Sequence, residues 1–390
     1  MKKTIKDFDL NNKRVIIRVD YNVPIKDGVI TDDNRIVASL DTINYALNNG
    51  AKIILLSHLG RIKEENDKAK NDLKPVALAL SKLINRDVKF ISDTDFNKIR
   101  EELDGDFDIA LLQNTRYYDL DNNMESGNSE DLARFYASLG DIFINDAFGT
   151  IHRAHASNVG IASILPSGVG FLVEKELKEL SYLDNPERPY TVILGGAKVS
   201  DKIKVIENLA TKCDCLVIGG AMANTFLKAK GYNIGASLVE DDYLDFASNM
   251  LELYKDKIIL PVDVVVSKEM SDKEFYNKSI DSLDNDDIIL DLGSNTQSLI
   301  EEKLSSTKTV MWNGPLGYYE LETYQKATSN IMNYLVNNDI RTVLGGGDIV
   351  ACSSELGLKE KVYHASTGGG ATLEYLEGKS LPGIEVIQEI

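Results

Sequence analysis

The sequence predicts an α/β protein of two domains, each a parallel sheet flanked by helices, joined by a connecting helix and hinge. Short apolar runs alternate with longer amphipathic stretches along the whole chain, the pattern of βαβ units and parallel sheets. The chain has 390 residues, enough for two domains with full cores. A pair of closely spaced prolines interrupts the pattern near its middle.

The apolar runs are Val15–Val19, Ile53–Leu56, Ile109–Leu112, Ile142–Ile144, Val192–Leu194, Leu216–Ile218, Val262–Val266, Ile288–Leu290, Val310–Trp312 and Thr342–Leu344. Two sheets accommodate so many strands better than one continuous sheet. Gly168-Val169-Gly170 leads into an amphipathic stretch, Glu174–Leu183, and then Asn185-Pro186-Glu187-Arg188-Pro189. Prolines that close together end a helix. The reading is therefore an N-terminal domain over 1–170, a connecting helix over 171–185 and a C-terminal domain from 186.

Composition narrows the class. A hydrophobic content of 43% is ordinary for a folded protein and argues against disorder. With 43 basic and 61 acidic side chains the net charge is −18, so nucleic acid is not expected as a partner. Met1-Lys2-Lys3 is not followed by an apolar signal core, and no run approaches the roughly 18 apolar residues of a membrane span. A soluble, cytoplasmic chain with no membrane partner is expected. Three cysteines make no disulfide framework. Cys213-Asp214-Cys215 lies in an apolar, strand-like stretch, which suits packing better than metal binding.

Chemically active residues follow the apolar runs. In the first half these are Asp20 and Asn22, His58 and Arg61, Asn114 and Arg116, and Asn145-Asp146. In the second half they are Gly195-Gly196, Gly219-Gly220, Asn313-Gly314-Pro315 and Gly345-Gly346-Gly347-Asp348. Ligands of open α/β sheets bind outside the carboxyl ends of the strands, so one site per domain is expected.

The two sites differ in character. Arg35, His58, Arg61, Arg116, His152, Arg153 and His155 make the first basic. Arginine forks match phosphate and carboxylate oxygens, although a single arginine is also accounted for by a surface salt bridge. Histidine ligation of a metal is disfavoured beside so many arginines. The second site is glycine-rich, and backbone amides of such loops cradle phosphates. In Val192–Ile203, Lys198 and Lys202 are four apart, which would put both on one face of the first turn of a helix. The helix dipole disfavours cations there, so an anion is expected to neutralise them; a solvated basic helix start is the plainer alternative. Asp348 suits either Mg²⁺ or a helix N-cap. Gly378-Lys379-Ser380 ends like a P-loop, but Leu373 stands where the loop needs glycine. Gly168-Val169-Gly170 lacks the third glycine of a dinucleotide fingerprint, that position being Val173.

Taken together the motifs resemble those of the phosphoglycerate kinases. They are Arg18-Val-Asp-Tyr-Asn-Val-Pro24, Ser57-His-Leu-Gly-Arg61, Asn145-Asp-Ala-Phe-Gly-Thr150 with His152-Arg-Ala-His155, Gly195-Gly-Ala-Lys-Val-Ser-Asp-Lys202, Gly219-Gly-Ala-Met-Ala-Asn-Thr225, Met311-Trp-Asn-Gly-Pro-Leu-Gly317, Gly345-Gly-Gly-Asp348 and Ser366-Thr-Gly-Gly-Gly370. Their order is that of the family through nearly the whole chain.

The resemblance implies two Rossmann-like domains and reversible phosphoryl transfer from 1,3-bisphosphoglycerate to MgADP, giving 3-phosphoglycerate and MgATP, by a monomer. The domain over 1–170 would bind the glycerate, the domain over 186–365 the nucleotide, and the tail 366–390 would pack back on the first domain. Asp20 and Asn22 would hold the glycerate's hydroxyl and carboxyl end, within loops that include Tyr21, Leu59 and Gly60. His58, Arg61, Arg116 and Arg153 would grip its phosphate, and Arg35 would reach the transferring group. Lys198 and Lys202 would contact the nucleotide phosphates and the group in flight. Gly195, Gly196, Gly219, Gly220, Asn313, Pro315 and Glu320 would form the nucleotide pocket, with Glu320 on the ribose. Gly346, Gly347, Asp348 and Ile349 would sit at the phosphates, with Asp348 at the Mg²⁺. Domain closure with hinges near Gly168–Phe171 and Ser366–Gly370 is also implied.

The attacking oxygen in such chemistry is already ionised, so no general base is required. The residues need only position the reactants and neutralise charge in a metaphosphate-like transition state. Three positions depart from the family pattern. Ile349 stands for a threonine or serine, which predicts weaker nucleotide affinity. Ile62 stands for a proline, which predicts a looser loop. Gln113-Asn-Thr-Arg116 stands for Glu-Asn-Leu-Arg. Two rival readings are an inactive nucleotide-binding relative with a regulatory or scaffolding role, and an acyl-phosphate kinase acting on acetate or carbamate. The arginines at 61, 116 and 153 favour a substrate carrying a second phosphate.

Overall fold

The computed structural model describes residues 2–271 and 273–390. It divides into two compact units: the first runs to Leu177 and takes back Ser380–Ile390, and the second is Lys178–Lys379.

The sheet of the first unit has six strands in the order Lys89–Ile91, Ile109–Leu112, Lys52–Leu56, Arg14–Val19, Ile142–Asp146, Ser167–Val169, all parallel. The central strands are apolar along their length because helices cover both faces. Val15, Ile17, Ile53 and Leu55 pack with Ile43, Ala46, Val76 and Leu80 of helices Leu40–Asn48 and Lys74–Ile84. Ile16 and Ile54 alternate to the opposite face and are equally buried. Helix Phe96–Leu103 starts at Asp95, whose carboxylate accepts from the Asn97 and Lys98 amides. The returning C-terminal segment is fixed by its backbone, with Lys3 N donating to Gln388 O at 2.8 Å and Gly383 N to Ile151 O at 2.8 Å.

The second unit carries a parallel sheet in the order Ile258–Ile259, Cys215–Ile218, Tyr190–Leu194, Thr309–Asn313, Arg341–Leu344, His364–Ala365. The apolar runs at 262–266 and 288–290 do not join it. Asp263–Ser267 and Ile288–Leu292 form an antiparallel sheet with Tyr276–Ser279. Val264 and Val266 face a small core with Ile280 and Ile289, whereas Val265 between them is only half-buried. A strand buried on one face suits a small antiparallel sheet rather than the centre of a parallel one.

The boundaries differ from the sequence reading. The division falls within helix Phe171–Tyr182, not at 170/171 and 185/186. Only 380–390 returns to the first unit, while 366–379 stays with the second. It stays because Ser366 N donates to Leu344 O at 2.9 Å, Asn208 Nδ2 to Leu376 O at 2.8 Å and Tyr375 Oη to Asp184 at 2.7 Å. Cys213 caps the end of helix Ile203–Lys212 and precedes the strand that Cys215 begins, so the two are not in one strand. All three cysteines are free thiols. Among the described residues no helix is long and apolar enough to cross a membrane.

Candidate functional sites at the strand ends

Both expected clusters lie at carboxyl ends of parallel strands, one in each unit. In the first unit, Arg14–Val19 delivers Asp20, Tyr21 and Asn22; Lys52–Leu56 delivers His58 to Arg61; Ile109–Leu112 delivers Asn114 and Arg116; and Ile142–Asp146 leads to Arg153. Loop-to-loop bonds tie these ends together. Tyr21 N donates to Ser57 Oγ at 2.8 Å, Gly60 N to Asn22 Oδ1 at 2.9 Å, and Leu59 N and Arg116 N to Asn114 Oδ1 at 3.2 and 3.0 Å. Gly60 has φ +61°, which favours glycine, and a Cβ there would lie 2.0 Å from Asn71 Oδ1, so a larger residue would have to displace that side chain. Ile62 is buried and anchors its loop despite the absent proline. Gln113 accepts from Leu73 N and Asn114 N, a role for a side-chain oxygen that needs no charge.

Asp20 is the acidic hub of this site. It pairs with Arg35 at 2.6 Å and lies 4.0 Å from His58 Nδ1. Burial would raise its carboxyl, but the guanidinium groups of Arg35 and Arg18 and the bond from the Asn22 amide counter burial and hold it below the usual carboxylate range. Arg61, Arg116 and Arg153 form no ion pair among the described residues, and the Arg116 Nε is buried without a partner. Arg116 is half-buried, and burial together with Arg153 and Arg18 lowers its guanidinium against the opposing pull of Asp119 and Glu125. Guanidinium groups without a paired carboxylate suit a multiply charged anion.

The histidines contribute differently from the sequence reading. Burial, reinforced by Arg18 and Arg116, pushes His58 and His155 down to about 3, so both are neutral near pH 7. They can donate or accept one hydrogen bond each but bring no positive charge.

Two residues of this site escaped sequence reasoning. Arg18, fully buried at the end of the central strand, donates through Nε to Ser157 Oγ at 2.8 Å and lies 3.3 Å from His58 Nδ1. Glu125, also fully buried, accepts from the Ser157 hydroxyl and, at 3.1 Å, from the Ser157 amide. An arginine inside the apolar run Arg14–Val19 was the available signal, since a buried cation requires a buried partner. Nothing in the sequence around Glu125 marks it as that partner.

In the second unit the strand ends meet around a cleft of about 560 Å³. Its walls include Gly196, Gly220, Leu238, Pro261, Leu290, Pro315, Leu316, Glu320 and Asp348. It is therefore largely apolar, with the carboxylates of Asp291, Glu320 and Asp348 among its walls. The glycines serve close packing rather than amide donation. Gly195 N donates to Asn313 O at 2.8 Å, Gly196 N to Pro315 O at 2.9 Å, Gly219 N to Leu194 O at 2.8 Å and Gly220 N to Leu316 O at 2.9 Å. A Cβ on Gly195 would lie 2.0 Å from Pro315 O, and one on Gly220 2.5 Å from Gly196 N. These four amides are spent between loops and are not offered to a phosphate.

The lysines also sit differently from expectation. The helix begins at Ile203 with Lys202 as its N-cap, so Lys198 lies in the preceding turn and not on the same helical face. Lys202 Nζ donates to Asn313 Oδ1, whose amide in turn donates to Gly345 O. Burial lowers Lys202 to about 8 against the opposing pull of Asp348 and Asp201. Lys198 is exposed. The helix N-terminus that does face open space is that of Gly347–Glu355, where a Cβ on Gly347 would meet nothing within 4 Å. Gly346, with φ +103°, is its N-cap, so Asp348 stands in the first turn and is not the cap. Ile349 is fully buried in the core with Trp312 and Leu344 and turns its side chain away from the cleft.

These features define a two-domain α/β protein of doubly wound parallel sheets, with a basic strand-end cluster on one unit and an apolar cleft beside lysines on the other. The family model for phosphoglycerate kinase matches residues 5–379. The phosphoglycerate kinase of Enterococcus faecalis is 52% identical over an alignment of 394 residues, covering 100% of this chain and 99% of that one. That of Fusobacterium nucleatum is 52% identical and covers 99% of each. The phosphoglycerate kinase structure from Coxiella burnetii superposes with a TM-score of 0.90 at 40% identity, covering 99% of this chain and 98% of that one. The structure from Pyrococcus horikoshii gives 0.83 at 31% identity with the same coverage. The chain belongs to the phosphoglycerate kinase family, and it is a kinase.

Proposed function

We propose that the protein transfers a phosphoryl group reversibly between the carboxyl group of 3-phosphoglycerate and MgADP. The observation that carries this reading is the set of guanidinium groups at Arg61, Arg116 and Arg153 with no carboxylate partner among the described residues. A substrate with one phosphate to donate and another to be held explains them. Acetyl or carbamoyl phosphate would leave that charge unused.

On the first unit, Asn22 and Asp20 hold the glycerate's hydroxyl and carboxyl end, within loops that include Tyr21, Leu59 and Gly60. Arg61, Arg116 and Arg153 bind its phosphate, and neutral His58 donates one hydrogen bond. Arg35 leaves Asp20 to meet the transferring group. On the second unit, the apolar walls of the cleft suit an adenine ring, and the exposed Glu320 carboxylate suits the ribose hydroxyls. Lys198, Lys202 and the amides of Gly347, Asp348 and Ile349 suit the phosphates. Asp348 fits Mg²⁺, which takes a carboxylate together with phosphate oxygens and, when bound, neutralises phosphate charge. Nucleophile and leaving group are both oxyanions, so cation placement does the catalysis and no base is called for. Transfer between sites on separate units requires them to close, in a cytoplasmic monomer.

A coupled assay with 3-phosphoglycerate and MgATP tests the reading, with acetate and carbamate as alternative acceptors. Turnover with 3-phosphoglycerate alone is expected. Turnover at background would favour the inactive relative, and preference for acetate or carbamate would overturn the substrate assignment.

A further inference from the structure

We propose that Glu240 is a positioning residue that sets the lysine turn Lys198–Lys202 against the nucleotide phosphates. The inference rests on the nucleotide reading of the cleft and deepens it.

The turn has little regular structure of its own, because the helix starts only at Ile203. It is held from outside. The Glu240 carboxylate accepts from Ser200 Oγ at 2.6 Å through one oxygen and from Ser200 N at 3.1 Å through the other. One side chain thus satisfies the amide and the hydroxyl of Ser200 midway between the two lysines, a place where an anion from the ligand would otherwise be expected.

Glu240 is itself anchored. Its amide donates to Thr225 Oγ1 at 3.2 Å, and two residues earlier Leu238 O accepts from Asn224 Nδ2 at 3.0 Å. Asn224 and Thr225 are buried in helix Met222–Ala229, and Leu238 lines the cleft. The strand-to-helix loop at Gly220, the cleft wall at Leu238 and the lysine turn are therefore joined by a chain of hydrogen bonds that ends at Glu240.

Its charge state suits the task. Burial would raise the carboxyl, but the Ser200 bonds and the field of Lys198 hold it below the ordinary glutamate value. It remains an anion throughout the neutral range. An anion so near a phosphate site would weaken phosphate binding through charge alone. Its retention is explained by the geometry it imposes on Lys198 and Lys202.

Positioning and mere charge make opposite predictions. Adenosine and ADP share the base and ribose and differ in the phosphates. Calorimetric titration of the full-length wild-type, E240Q and S200A proteins with each ligand separates the cases. E240Q is expected to weaken ADP about tenfold, the scale of a lost charge-assisted hydrogen bond, and to leave adenosine within twofold. S200A should give a smaller loss of the same kind, and the double variant should be no worse than E240Q alone. Equal losses for adenosine and ADP would overturn the proposal by showing a damaged cleft wall. Unchanged or tighter ADP binding would overturn it by showing that the charge only repels. Wild-type protein that binds neither ligand would overturn the nucleotide reading itself, an outcome separate from the other two.

Discussion

Arg35 Nη1 stands 2.6 Å from Asp20 Oδ2, so the guanidinium proposed to meet the transferring phosphoryl group rests on the carboxylate proposed to hold the glycerate. The Arg35 side chain is 41% exposed but that of Asp20 only 10%, so removing Arg35 leaves a largely buried carboxylate with one partner fewer. R35A is expected to cost on the order of 1–3 kcal/mol in stability. It should lower kcat by about 10³-fold, the lower end of what an arginine contributes to phosphoryl transfer. ADP affinity should stay within twofold. Calorimetric ADP binding beside steady-state rates checks this, and a loss of ADP affinity would show that Arg35 serves the other site.

Ile349 bears on nucleotide binding less than its place in the sequence suggests. A hydroxyl at this position would enter the core among Trp312, Leu344 and Cys352, not the cleft. Burying a hydroxyl there without a partner costs about 1–3 kcal/mol. I349T is therefore expected to lower stability by that order and to change ADP affinity by less than twofold. Denaturant titration and ADP binding on the same preparation decide it. A several-fold gain in ADP affinity would restore the view that this chain lacks a phosphate contact.

The central strands were legible because helices cover both of their faces, which demands continuous apolar runs such as Val15–Val19 and Val192–Leu194. Edge strands such as Ile258–Ile259 and His364–Ala365 are too short to leave such a run. The positions of Asp20, His58, Arg116 and Asn313 followed from the rule that ligand residues sit beyond strand ends. What the loops do with their backbone did not follow. Glycines at 195, 196, 219 and 220 look like phosphate cradles, yet their amides are used to lock three loops together. Likewise the four-residue spacing of Lys198 and Lys202 implied one helical face, but Glu240, some forty residues on in the chain, holds the turn open. Pairings of that separation, like Arg18 with Ser157 and Glu125, have no local signature.

Lys202 illustrates a site residue that burdens the fold. Burial lowers its ammonium from 10.5 to about 8. Between those values the unfolded chain keeps a proton that the folded chain has released, so stability rises with pH across that window. Below about pH 8 the fold carries the full cost of the buried charge. K202M is expected to raise stability at pH 7 by on the order of 1–2 kcal/mol, a discounted figure because the side chain keeps some solvent contact. The advantage should shrink toward pH 10. The same change should lower kcat by about 10²–10³-fold, since the donor proposed for the developing charge is lost. Melting temperatures from pH 7 to pH 10 test the sign, and a K202M protein less stable than wild type at pH 7 would contradict it.

Asp291 is the mirror case, a carboxylate in the cleft wall. It is almost fully buried and accepts from Leu292 N at 2.9 Å and Ala327 N at 3.1 Å, so it caps helix Lys326–Asn337. A Cβ on Gly317 would lie 2.3 Å from its Oδ1, so the loop leading to Glu320 is packed directly against it. Burial outweighs the backbone bonds and pushes its carboxyl from 3.8 up to about 7. From about pH 4 to pH 7 the folded chain holds a proton that the unfolded chain has lost, and stability falls as pH rises through this window. D291N removes the charge but keeps an acceptor oxygen for one of the two amides. At pH 8 it should equal or exceed wild type in stability, and at pH 4.5 it should be the weaker. The difference between the two pH values should be on the order of 2 kcal/mol. Denaturant titrations at pH 4.5, 6 and 8 measure it. An equal loss at all three would mean that the caps to Leu292 and Ala327, and not the buried charge, set the contribution of Asp291.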